Sequence, residues 1–181
     1  MKPKDVLHSN KNASFINYFE QTSWAFLGRF TLLVLLSYGL LAIPAVDRLL
    51  YEVLKATAWV AGLLLNFFGD TSKVDGVVIH TKEFTVGVRR GCDGVEPMLV
   101  LWSAMVAAWL PLRPMLLGLV VSGILIQILN LLRVVSLSMI GARWPSAFHI
   151  IHVEIWPIFF IIAGLCIFVT WIKWSRSFVH G

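Results

Sequence analysis

VEPMLVLWSAMVAAWLPLRPMLLGLVVSGILIQILNLLR, residues 95–133, decides the fold. Two apolar runs flank the tetrapeptide Pro111-Leu112-Arg113-Pro114. Proline cannot donate the bond a helix interior needs, yet it suits a first helical turn, so the tetrapeptide closes one helix and opens another. Residues 95–110 are therefore read as one membrane span and residues 115–140 as the next. Working outward, residues 24–46 form an earlier apolar run, and residues 150–172 a last one.

The composition agrees. Of the 181 residues, 58% are hydrophobic and only 14% charged. A water-soluble chain of this size could not cover so much apolar surface, so the expected class is an all-α multi-pass membrane protein. Tryptophans at 102, 109, 144, 156, 171 and 174 fall near span ends or first turns, where interfacial belts form. The formal net charge of +5 then speaks of anionic headgroups and membrane lipid, not of nucleic acid.

Residues 1–23 are polar and contain three lysines, a pattern expected of a cytoplasmic tail ahead of one membrane domain over residues 24–181. The run after the tail is too long for a signal-peptide core and reads as an anchor. Residues 56–68 are apolar but short. Even extended back to Leu49 they suit an interfacial or partly inserted helix better than a crossing, so four to five transmembrane helices are expected, four of them full crossings. Between them and the next span, VVIHT and FTVGV alternate and carry β-branched residues, which predicts a small extramembrane β-hairpin.

Cys92 stands at the end of that hairpin, between Gly91 and Asp93-Gly94. From Gly91 to Ile172 the charged residues are Asp93, Glu96, Arg113, Arg133, Arg143 and Glu154. Arg113 and Arg143 belong to turns, so Arg133 is the basic group inside a span, and an ionisable residue there is a functional candidate by default. Arg133 lies 19 residues after Pro114. At ~1.5 Å per residue the chain has travelled roughly 28 Å, about one hydrocarbon thickness, and is back at the level of Cys92. His149 and His152 open the last span on the same side. A thiol, a guanidinium and an imidazole therefore meet at one membrane face.

That trio has a chemistry. A nearby cation or histidine lowers a thiol's pKa, and histidine can carry the proton to a leaving amine. Arginine offers fixed donors to an oxyanion. Gly91 and Gly94 would admit a peptide backbone close to Cys92. Asn130 shares the helix face of Arg133 and is placed to orient it. Plainer readings exist for each. A lone membrane cysteine is often a packed residue, and Arg133 could pair with Glu96 or Glu154 in a non-catalytic scaffold or transporter component. Cys166 falls near mid-span and reads as packing. The absence of a CxxC pair argues against a thiol oxidoreductase or a cysteine zinc site, and no metal or cofactor is expected.

The hairpin followed by RRGCDGVEP, then NLLR, then HVEIW resembles the exosortase/archaeosortase family of membrane transpeptidases, and the RRGC-DG-E form its exosortase H type. The resemblance implies a cysteine transpeptidase or protease in the cytoplasmic (inner) membrane, with its active site at the extracytoplasmic face. It implies substrates with a C-terminal sorting signal of short motif, transmembrane helix and basic tail, here the IPTLxxWG-CTERM class. It carries the family's cysteine onto Cys92, its arginine onto Arg133, and its histidine onto His152, with His149 the alternative. Asp93 departs from the serine common in the family.

Overall fold

The computed structural model describes residues 23–180, with side chains through Ser175. The polar tail expected over residues 1–23 thus lies almost wholly outside the described residues. Helices dominate: α1 (Ser23–Leu41), α2 (Pro44–Phe67), α3 (Val95–Ala107), α4 (Leu112–Arg143), α5 (Pro145–Ile150) and α6 (Trp156–His180). A π-helical turn, Ile151–Ile155, joins the last two. Strands β1 (Lys73–Asp75), β2 (Val78–His80) and β3 (Thr85–Gly87) form an antiparallel meander between α2 and α3, with Ile79 opposite both Val74 and Val86. The expected hairpin is thus β2–β3, extended by a third strand.

Among the described residues, four helical stretches are long and apolar enough to cross a membrane: α1, α2, α4, and α5 through α6. The chain is an all-α multi-pass membrane protein with a small sheet. Leu116, Val120, Ile124, Ile128 and Leu132 of α4 and Ile158, Ile161 and Leu165 of α6 are exposed, as lipid-facing side chains are.

Two lengths differ from the sequence reading. The helix expected over residues 95–110 ends at Ala107, and its 13 residues reach about 20 Å, short of a ~30 Å hydrocarbon core. Trp109, at φ 53, breaks it before the proline turn does. The segment read as residues 56–68, extended back at most to Leu49, belongs instead to a 24-residue helix that begins at Pro44. Three of its charges are paired: Asp47 with Arg90 at 2.6 Å, and Lys55 with Glu52 at 2.7 Å. Gly69, at φ 88, closes α2 in a Schellman motif, with Asp70 N–H on Leu65 O and Gly69 N–H on Asn66 O.

The partners of α2 belong to one end of the bundle. Leu50 packs with Leu41 and Val95, while Leu54, Ala58, Ala61 and Leu65 pack with Ile79, Val88, Val134 and Val135, against which Cys92 also rests. Helix α4 is the central post, touching α2, α3, α5 and α6. A second core joins Leu101 and Met105 of α3, Ile126 of α4, and Phe160 and Trp171 of α6. The connection between the spans read as residues 115–140 and 150–172 shrinks to Trp144, because Pro145 opens α5 instead of prolonging a turn.

Candidate active site

Cys92 sits on a tight connection between β3 and α3. Gly91 and Gly94 bracket it at φ 82 and 71, a region that L side chains rarely adopt. The carboxylate of Asp93 accepts the Val95 N–H at 3.1 Å at the start of α3. Gly94 presses on α4: a Cβ there would lie 2.9 Å from Cβ of Asn130. Around Gly91 nothing lies within 4 Å of such a position, leaving open space beside the thiol.

Helix α4 grips this connection from one stripe. Gln127 Nε2 donates to Asp93 O at 3.1 Å, Asn130 Nδ2 to Cys92 O at 3.0 Å, and Arg133 Nη1 to Gly91 O at 3.0 Å. Residues three apart share a helix face, so three donors along α4 meet three successive carbonyls. Asn130 therefore holds the Cys92 peptide, not the Arg133 side chain as the sequence suggested. Arg133 is 8% exposed, its Nε has no partner, and its guanidinium carbon stands 5.8 Å from the Phe160 ring centroid. Among the described residues it forms no ion pair with Glu96 or Glu154.

The histidine comes from the π turn. Pro157 has no N–H to offer the carbonyl of Val153, which removes an α-helical bond there and accompanies the wider turn. Within that turn His152 points Nε2 to 3.3 Å from Cys92 Sγ. Phe148 lies against the His152 ring at 5.6 Å between centroids and against Phe84 at 5.3 Å. Phe84, at the β2–β3 turn, in turn fills the space left by Gly141 of α4. His149 is exposed and does not reach the thiol.

A cavity of about 720 Å³ opens beside this cluster between α1, α3 and α6. Gly91, Glu96 and Arg133 lie at one end and Phe26, Phe30 and Phe168 line the other. Cys166 lines a different cavity, of about 440 Å³, with Leu117 and Trp171. Both cysteines are free, and no cluster of metal-ligating side chains occurs among the described residues.

The structure thus brings Cys92, Arg133, His152, Asn130, Gly91 and Gly94 together and leaves His149 aside. Sequence reasoning missed Gln127, whose signal was present in QILNLLR: polar residues at every third place of an apolar run. It also missed the tie of Arg90 to Asp47 and to Leu41 O at 2.9 Å, which anchors the α1–α2 corner two residues before Cys92.

A family model described as transmembrane exosortase matches residues 13–171. No curated protein and no solved structure shows significant similarity to the chain.

Proposed function

The chain belongs to the transmembrane exosortase family, a family of sorting-related membrane transpeptidases, and from that premise we propose that Cys92, His152 and Arg133 are its catalytic residues. The observation that carries this reading is the 3.3 Å approach of Cys92 Sγ to His152 Nε2. That is within reach of a proton transfer between a sulfur and an imidazole.

In the proposed reaction His152 takes the thiol proton as Cys92 Sγ attacks a substrate carbonyl carbon. The carbonyl electrons become an oxyanion, which the remaining N–H groups of Arg133 hold. Collapse breaks the C–N bond, His152 returns the proton to the leaving amine, and a thioester stays on Cys92. An acceptor amine, or water, attacks that thioester and frees the thiol.

The substrate is a protein whose C-terminal sorting signal carries a short motif, a transmembrane helix and a basic tail, of the IPTLxxWG-CTERM class. The site works at the extracytoplasmic face of the inner membrane, within a membrane domain over residues 24–181, and residues 1–23 form a cytoplasmic tail. The apolar cavity ending at Arg133 and Gly91 supports a substrate that arrives through lipid. The rival scaffold reading needs Arg133 paired to a glutamate, whereas its partner is the Gly91 carbonyl.

The test replaces Cys92 with Ala and follows a co-expressed sorting-signal protein by size. Processing stops if the thiol is the nucleophile; normal processing by Cys92→Ala rejects the assignment.

A further inference from the structure

The cavity beside Cys92 is a slot that runs along the helices. Helix α6 lines it with Pro157, Ile161, Gly164 and Phe168, a single stripe in steps of three and four residues. From the first to the last of these the helix rises roughly 16 Å, about half of a ~30 Å hydrocarbon core. Val100 and Ala104 face the slot from α3. Helix α1 forms the third wall, and from Ser23 to Leu40 none of its residues is buried. It is tied near its ends: Phe26 meets Phe168 with ring centroids 6.5 Å apart, Arg29 lies over Trp109, and Leu41 packs with Leu50 and Val95. The slot stands where α1 would otherwise cover a core. Gly164 keeps its middle open, since a Cβ there would meet nothing within 4 Å.

The end at the thiol carries both signs of charge. Glu96 and Arg133 line it with Gly91 and, among the described residues, form no ion pair with each other. An extended peptide brings both N–H donors and C=O acceptors to such a pair. The phosphate of a lipid headgroup would suit Arg133 but meet Glu96 as a like charge. The rest of the slot is apolar, as the side of a membrane helix requires.

We propose that this slot seats the transmembrane helix of the substrate. One face of that helix lies against α3 and α6, with a side chain entering the space at Gly164. The extended segment ahead of the helix crosses Glu96 and Arg133 to reach Cys92. Helix α1, with no buried residue before Leu41, is the wall that yields to it.

The proposal rests on the sorting-signal reading above, and its test separates the two. A reporter ending in an IPTLxxWG motif, an apolar helix of ~20 residues and a basic tail is co-expressed with the full-length chain. Gly164→Leu fills the slot at a helical position where leucine is the better helix former. Processing of the reporter is expected to fall about tenfold or more, because an overfilled site rejects its partner. Iodoacetamide labelling of Cys92, in a Cys166→Ser background, is expected to stay within about twofold of the parent. Gly28→Leu has equal space around it and does not line the slot, so it is expected to process as the parent does. Parental processing by Gly164→Leu, or an equal fall in Gly28→Leu, overturns the proposal. A second measurement places p-benzoylphenylalanine at Val100 of the Cys92→Ala chain and irradiates it with the reporter present. An adduct with the reporter's helix is expected there, and none from the same probe at the lipid-facing Ile124. Lipid adducts alone at Val100 overturn the proposal. If Cys92→Ala still processes the reporter while the Val100 adduct forms, the nucleophile assignment fails and the slot stands.

Discussion

Cys92 and His152 are 60 residues apart in the chain and 3.3 Å apart in space, sulfur to Nε2. The approach depends on two local irregularities: the left-handed glycines around the cysteine and the π turn around the histidine. Exchange His152 for Gln and the proposed proton carrier is gone while a polar side chain of similar reach remains. Processing of a co-expressed sorting-signal protein should fall about 10²–10⁴-fold. His149→Gln, at an exposed site, should stay within a few-fold of the parent; the reverse ranking on an immunoblot would move the role to His149.

Arg133→Lys keeps a positive charge but loses the planar fork that reaches Gly91 O while leaving other N–H groups for substrate. We expect processing to drop by about 10²-fold, the scale of one lost oxyanion donor. Iodoacetamide labelling of Cys92 in the same membranes should continue. Processing at the parental rate in Arg133→Lys would show that charge alone suffices.

The two glycines beside the thiol should respond unequally to alanine. Both have positive φ, which costs an L residue of order 1–3 kcal/mol. Gly94→Ala adds a methyl 2.9 Å from the buried Asn130 Cβ, where an overpacked site loses about 1–3 kcal/mol more. At Gly91 the methyl meets open space. Thermal unfolding in detergent should therefore place Gly94→Ala well below Gly91→Ala. Equal midpoints would argue that the connection does not rest on α4 as described.

Phe84 braces the histidine from outside the bundle, through Gly141 and Phe148. Phe84→Leu keeps an apolar filler but removes the ring contact, at a cost of about 1 kcal/mol. Its expected signature is a fall in processing larger than the fall in stability, because Phe148 loses its backing against His152. Loss of stability with unchanged activity per folded molecule would contradict this.

The meeting of thiol, guanidinium and imidazole was legible because it depends on counting. A fixed rise per residue brings Arg133 back to the Cys92 level whatever the side chains do. The β2–β3 pair was legible from the alternation in VVIHT and FTVGV. Other features depend on partners far away in sequence. Asp47, Glu52 and Lys55 break the apolar pattern, yet they lie within α2, where Asp47 pairs with Arg90 and Glu52 with Lys55. Pro145 reads as part of a loop but occupies the start of α5. Gln127 in an apolar helix carries no local cue to its acceptor, which is a carbonyl 34 residues earlier. The cue is only the three-residue spacing with Asn130 and Arg133, and its meaning requires the loop on the other side.

The shortness of α3 has a mechanical consequence. Its 13 residues join the Cys92 end of the bundle to Trp109, where Arg29 lies over the indole at 4.7 Å. That rod is about 10 Å shorter than an average hydrocarbon slab. Lipid around it must dimple inward, or the thiol must sit sunken beneath the headgroups. In the second case the thioester proposed on Cys92 would wait below the level of bulk water.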